Sequence, residues 1–307
     1  MAGHVPTISV IVHNLNRADI LARCLASLAA QGVRPLEVVI ADAGSTDGSH
    51  LVIERACAAM AVTDIAVRRI ECRPAGVASS RNLAAREASG DLLCFLDNDA
   101  LLEPADALAG MRDLFLRQPE LGIVAFKILS GDSEALDPFA WVFRRSTGWS
   151  TRPFRTFTFA GAGFCVRRDA FWSAGGFWEQ LTYSREEEDL ALELLDRGWG
   201  VLYSPSVVVR HYFDPRGRMD LARRRSVELR NGLLVLWRRF PLPLAVPLVF
   251  GRIATMSLRT LVRERRSPAA LLGGVREALH EWRGAALRRK PISVRGVCRY
   301  AALHVPR

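Results

Sequence analysis

Apolar residues follow two alternating rhythms through the first two thirds of the chain. Short aliphatic runs such as Thr7 to Val12 (TISVIV), Leu36 to Ala41 (LEVVIA) and Leu92 to Leu96 (LLCFL) are bounded by polar residues. Between them, apolar side chains recur at steps of three and four, as in Ile20, Leu21, Cys24, Leu25 and Leu28. The first rhythm reads as buried strand and the second as one face of a helix. Further strands are predicted at 65–70, 121–129, 164–166, 199–204 and 206–210. Helices are predicted to about residue 61, at 76–88, at 104–117, from 169, and from 186 to the stop at Gly198. Repeated strand–helix alternation argues for an α/β protein with helices on both faces of a mixed, mostly parallel sheet. Residues 130–160 break the rhythm. There Trp141, Phe143, Trp149, Phe154, Phe157 and Phe159 interleave with Arg and Thr, and they read either as the wall of an acceptor pocket or as a satellite aromatic core.

Charge divides the chain where the alternation ends. Residues 1–209 hold 20 Lys+Arg against 26 Asp+Glu, a balance of −6, and residues 210–307 hold 22 against 6, a balance of +16, giving the overall +10. We therefore expect an acidic, cleft-bearing domain over 1–212 and a basic helical extension over 213–307. The six cysteines have no paired spacing, so neither a zinc site nor a disulfide framework is expected, in keeping with a reducing, cytoplasmic setting. No basic stretch followed by an apolar core opens the chain, so no signal peptide is expected. A basic tail also suits nucleic acid, but no groove-reading motif or stacking platform accompanies it.

The chemistry concentrates at three places. The run Leu92 to Leu96 ends in Asp97-Asn98-Asp99, which places two carboxylates at the carboxyl end of a strand, where open α/β sheets bind ligands. Two hard oxygen donors there suit a divalent cation that also grips phosphate, although a solvated turn has the same pattern. Glu186-Glu187-Glu188-Asp189 opens a helix. Acidic residues complement the helix dipole there, and four in a row also raise one another's pKa, as a proton acceptor requires. His211 ends the last strand of the first region, a place where a packed histidine and a ligand look alike.

Taken in order, these motifs resemble glycosyltransferase family 2. Ser9 to Asn16 (SVIVHNLN) is similar to the family's opening strand and turn, with Leu15 in the tyrosine position. Asp42 to Ser49 (DAGSTDGS) matches its second-strand signature, and Gly76, Arg81-Asn82 and Ala88-Ser89-Gly90-Asp91 match the approach to the Asp-x-Asp. Gly175-Gly176-Phe177, Glu188-Asp189, Arg197-x-Trp199 and Arg230-Asn231 resemble the acceptor half of the rhamnosyltransferase-like branch. The resemblance covers about residues 7–240.

It implies a GT-A catalytic domain over 1–212, with a nucleotide-sugar half over about 1–100 and an acceptor half over about 101–212. The reaction it implies is an inverting transfer of a sugar from a nucleotide-diphosphate donor to a glycan or lipid-linked acceptor in cell-surface polysaccharide synthesis. It implies Asp42 on the nucleobase with Asn14, Asn16 and Arg81 beside the donor, and Asp97 toward ribose or metal. Asp99, and with it His211, would hold Mg²⁺ or Mn²⁺, and Asp189 would be the catalytic base, with Glu187 or Glu188 next in line. Two readings compete: a nucleotidyltransferase that makes sugar nucleotides, and a sugar-nucleotide-binding protein without turnover.

In the tail, Phe240 to Gly251 is uncharged for 12 residues, short of a membrane span. Arg252, Arg259, Arg263 and Arg266 would share one helix face, with Phe250, Ala254 and Leu261 opposite. That pattern fits a helix lying on an anionic membrane at the cytoplasmic face. It equally fits a helix packed on the catalytic domain with its charged face in water.

Overall fold

The computed structural model describes residues 4–34, 36–73, 76–143, 145–214, 219–262, 265, 269, 271–283 and 289–304. Among the described residues nine strands form one sheet: β1 (Ile8–Asn14), β2 (Leu36–Asp42), β3 (Ile65–Glu71), β4 (Leu92–Asp97), β5 (Ala100–Glu103), β6 (Leu121–Ser130), β7 (Phe154–Thr156), β8 (Gly163–Arg167) and β9 (Gly200–His211). Their order is β3-β2-β1-β4-β8-β6-β9-β5, with β7 also on β9. The pairs β3/β2, β2/β1, β1/β4 and β6/β9 are parallel, and β8 lies antiparallel between β4 and β6. Six strands therefore point the same way, and Asn14, Asp42, Asp97 and His211 all stand at one edge of the sheet.

Period-two alternation explains the two layers of core. Val10, Val12, Leu92, Cys94 and Leu96 face one side, against α1 (Ala18–Ala29), α2 (Ser49–Ala61) and α4 (Ala107–Arg117). Ile11, Leu93 and Phe95 face the other, against α3 (Val77–Glu87), α5 (Arg168–Ser173) and α6 (Glu186–Asp196). Strands buried on both faces read as continuous apolar runs, which is why β4 is so plain in the sequence. A tight packing point fixes its start: Gly90 has no side chain because one would strike the backbone and hydroxyl of Ser9, and its amide donates to Ser9 Oγ at 2.7 Å.

Two elements depart from the expected pattern. Residues 199–204 and 206–210 join as the single β9, which accommodates Pro205 and Ser206 by a register shift against β6. The turn after Asp99 becomes β5, paired antiparallel with β9 so that Ala100 lies opposite His211.

The remaining helices are α7 (Leu221–Arg239), α8 (Leu242–Val262), α9 (Leu271–Arg283) and α10 (Val294–His304). They share a third core with α6, a cluster that contains Leu192, Leu229, Leu233, Phe240 and Val249. Pro247 lies within α8. Along α8, Ala245, Val249 and Met256 are buried and Arg252 turns inward, 3.7 Å from Glu228 on α7. Phe250 (68% exposed), Leu258 and Leu261 point outward. Arg252 thus finds a carboxylate partner inside the protein in Glu228, whereas Arg259 is exposed and the apolar face across from it is bare. Arg263 and Arg266 lie outside the described residues.

Candidate active site

The carboxyl ends of β1, β2, β4 and β9 meet at one cleft. Asp99 is fully buried; its Oδ2 accepts from Arg17 Nη1 at 2.9 Å and its Oδ1 lies 3.3 Å from His211 Nε2. His211 Nδ1 donates to Asp137 Oδ2 at 2.6 Å. Asp137 is held in turn by the amides of Phe139 and Ala140. Burial works against a charged imidazole, but the bond to Asp137 and the Asp99 and Asp97 carboxylates outweigh it and push the His211 pKa up to about 10. The pocket therefore demands positive charge at this point. One ligand atom from each of Asp97, Asp99 and His211 lies within 4.8 Å of the others. A mixed oxygen–nitrogen set backed by a carboxylate behind the imidazole fits a divalent cation such as Mn²⁺.

Asp97 is 31% exposed and is steadied by Arg81, whose Nη2 reaches Asp97 Oδ1 at 2.8 Å and the Gly161 carbonyl at 2.7 Å. Arg81 itself is almost wholly buried, projecting from α3. Its other nitrogen, Nη1, lies 3.7 Å from Glu186 and 3.9 Å from Glu187 at the start of α6. Burial raises the pKa of both glutamates, Glu186 well above its usual value, and Arg81 only partly offsets this. Glu187 is the more accessible, at 16% against 4% for Glu186. Gly161 makes room for it, since any side chain there would strike the Glu187 carboxylate.

Asp189 does not reach this cleft. It is 2% exposed, and Arg239 grips both its oxygens, Nε to Oδ1 at 2.6 Å and Nη2 to Oδ2 at 2.7 Å. A base needs open space for the hydroxyl it serves, and Asp189 has a guanidinium there instead. The expected catalytic base is thus a brace between α6 and α7. One helical register explains the error: residues 186 and 187 face the sheet edge, whereas 189 faces the C-terminal helices. Glu188 is also taken, by Arg185 at 2.9 Å.

A cavity of about 550 Å³ opens beside Asp97, lined by His13, Asn16, Arg17, Ala43, Asp47 and Ser80, among others. Asn16 is on its wall as expected. Its left-handed backbone (φ 60°) is stabilised by its side-chain oxygen, which accepts from the Thr46 amide at 2.9 Å. Asn14 and Asp42 are behind the wall. Both are fully buried, and Asp42 accepts from Asn14 (3.2 Å), the Ser45 hydroxyl and Arg69 (2.8 Å). Through Ser45 they brace the loop that carries Ala43 and Asp47. A second cavity of about 230 Å³ lies on the other side of Asp97, reached by Arg81, Asp137, Tyr183, Glu187 and His211.

Sequence reasoning did not single out Arg17, Arg69 or Asp137 for the site. Arg17 follows the Asn14–Asn16 motif directly and was within reach. Asp137 sits in the irregular 130–160 stretch, where no pattern marks it. The aromatic residues there both build core and line a cavity, and Trp141, packed on Phe143 and Tyr203, does both. Phe143 and Phe154 pack with Tyr203 in the core, while Trp141 and Phe157 line a cavity that continues from Glu187.

A parallel-stranded half sheet, an antiparallel return and an acidic, cation-ready cleft between two cavities define a GT-A glycosyltransferase fold. The chain is accordingly similar in structure to the mannosyltransferase PcManGT from Pyrobaculum calidifontis, solved in complex with GDP-Man and Mn²⁺, with a TM-score of 0.61 and 22% identity over 97% of this chain and 79% of that one. The chain belongs to glycosyl transferase family 2, whose model matches residues 9–175. Among curated relatives, it is 23% identical over 225 residues to the O-antigen chain rhamnosyltransferase RfbN of Salmonella typhimurium, covering 70% of this chain and 69% of that protein. It is 39% identical over 104 residues to the validoxylamine A glucosyltransferase of Streptomyces hygroscopicus subsp. jinggangensis, a match that covers 33% of this chain and only 24% of that enzyme's length.

Proposed function

We propose that this protein is an inverting glycosyltransferase that moves a sugar from a nucleotide-diphosphate donor to a hydroxyl of a glycan acceptor. The observation that carries this reading is the position of Asp97, Asp99 and His211 between two cavities, with Glu187 on the second of them. The larger cavity, beside Asn16 and Asp47, takes the nucleoside. The solved neighbour's GDP-Man and Mn²⁺ support assigning the same ligand classes here.

Asp97, Asp99 and His211 are the residues that would hold Mg²⁺ or Mn²⁺, which supplies Lewis-acid neutralisation of the charge gathering on the leaving diphosphate. Arg81 fixes the Asp97 carboxylate, and Asp137 fixes the His211 ring, so neither needs to reorganise during the reaction. Arg17 adds a cation on the donor side. Glu187 accepts the proton of the attacking hydroxyl as the new glycosidic bond forms at the anomeric carbon and the bond to the diphosphate oxygen breaks. Attack from the side opposite the leaving group inverts the configuration. Its raised pKa makes Glu187 a stronger acceptor than an ordinary carboxylate, and a positioned base is worth about 10²–10⁴-fold.

We also place the protein at a membrane surface through α8. Leu242–Val262 is long and apolar enough to cross a bilayer, and only 22% of its apolar window is buried. Arg252 faces Glu228 inside the protein, so the helix lies along the domain with its bare face toward lipid. Flotation with phosphatidylglycerol vesicles checks this: Phe250→Ser with Leu258→Ser loses binding, and unchanged flotation defeats the idea.

The catalytic reading is tested with a panel of UDP-, GDP- and dTDP-sugars. A matching donor raises the melting temperature only with Mn²⁺ present, since a ligand of the folded state stabilises it. Glu187→Gln keeps that response and loses transfer. If no nucleotide sugar stabilises the protein, or if Glu187→Gln turns over normally, the proposal fails.

A further inference from the structure

Beyond Glu187 the acceptor side continues into a cavity of about 470 Å³ that reaches the C-terminal helices. It is polar in an unusual way. Its aromatic side is Trp141, Phe157 and Tyr300; opposite stand five arginines, 185, 224, 225, 252 and 259, against three carboxylates, Glu187, Glu188 and Glu228. Arg185 bridges Glu188 and Glu228 at 2.9 Å each, and Arg225 bonds Glu228 at 2.7 Å, so two of the three acids are already answered. The third, Glu187, is at the transfer end. Arg224 makes a different contact: its guanidinium lies 5.3 Å from the centre of the Phe139 ring. Arg252 approaches Glu228 only to 3.7 Å, and its Nε and Nη2 are buried with no hydrogen-bond partner among the described residues. Guanidinium groups that outnumber the carboxylates of a cavity leave donors suited to phosphate oxygens, which accept them in parallel pairs.

We propose that the arginine end of this cavity, centred on Arg224 and Arg252, holds a phosphate or diphosphate ester carried by the acceptor. The inference rests on the glycosyltransferase reading above and names its acceptor class: an anionic, phosphate-bearing glycan rather than a neutral sugar. The aromatic wall then takes the sugar between the phosphate and Glu187. Such an ester is borne either by a lipid carrier or by a soluble sugar phosphate, and the chemistry at Arg224 and Arg252 is the same for both.

Calorimetry on the full chain tests it without any sugar donor, in EDTA so that cation-mediated phosphate binding at Asp99 is suppressed. The probes are farnesyl diphosphate, inorganic pyrophosphate and farnesol. We expect the two diphosphates to bind and farnesol not to compete with them. Arg224→Gln with Arg252→Gln should weaken diphosphate binding at least about tenfold. Arg224→Gln alone, which removes the contact with the Phe139 ring, should weaken it in the same direction and guards against misfolding of the double variant. Tighter binding of farnesyl diphosphate than of pyrophosphate assigns the ester to a lipid carrier, and equal binding assigns it to a soluble one. No diphosphate binding, or affinity unchanged in both variants, overturns the proposal. Metal-dependent hydrolysis of a nucleotide sugar by the unaltered protein reports separately on the catalytic reading, so the two can fail independently.

Discussion

Replacing Asp189 with asparagine separates a brace from a base. Asp189 and Arg239 are each 2% exposed and share two hydrogen bonds, and Arg238 adds a second guanidinium 3.7 Å from the same carboxylate. Removing one partner of a buried pair costs about 3–5 kcal/mol, because the remaining charge stays out of water. Glu193 still contacts Arg239, which places the loss near the lower end, about 3 kcal/mol. Unfolding entropy of about 2.1 cal/mol/K per residue over 307 residues gives about 0.6 kcal/mol/K, so Asp189→Asn should lower the melting temperature by about 5 °C. Below that temperature the folded fraction should retain metal-dependent donor binding and a substantial share of transfer. Thermal melts followed by circular dichroism, paired with a transfer assay at 20 °C, read both quantities. A variant that melts like the parent yet has lost transfer would refute this reasoning and return the base to Asp189.

Two further outcomes follow from contacts around the sheet edge. Asp137→Asn loosens the imidazole of His211 and should weaken Mn²⁺ binding about 10–100-fold, measured by metal titration of donor-dependent stabilisation; an unchanged titration would exclude His211 from the cation site. Glu37 receives hydrogen bonds from Ser9, Ser89 and Arg68, linking β2 to both neighbouring strands and to the start of β4. Burial works to raise its pKa, but those bonds outweigh it and hold the carboxyl below the usual range. A group with a depressed folded-state pKa stabilises above its unfolded value, about 4.3, and that contribution fades as pH falls through the folded value. Glu37→Gln should therefore cost about 1–2 kcal/mol at pH 7, with the gap narrowing below about pH 4. Urea unfolding at both pH values checks it, and a gap of constant size would contradict the linkage.

What could be read from the sequence, and what could not, follows from the range of the interactions. Strands such as β1, β2 and β4 are buried on both faces, so local composition alone marks them, and their shared direction carries Asn14, Asp42 and Asp97 to one edge. Asp97-Asn98-Asp99 was legible for the same reason, since a strand end dictates where its next residues lie. β5 was not, because Ala100–Glu103 is a strand only by virtue of β9, a partner about a hundred residues downstream. That pairing is also what brings His211 beside Asp99. The four acids at the start of α6 show the limit most sharply. Composition said that one of them should be a proton acceptor, and burial does raise Glu186 and Glu187. Choosing among them required knowing what each faces across the fold: Arg81 and Gly161 for Glu187, Arg239 for Asp189. Successive positions on a helix are about 100° apart, so two residues along, the side chain serves the opposite layer. The same sequence of carboxylates thus supplies a carboxyl group with a raised pKa to the cleft and an anchor to the C-terminal helices, and a change in α7 that moved Arg239 should be felt at Glu187 through the first turn of α6.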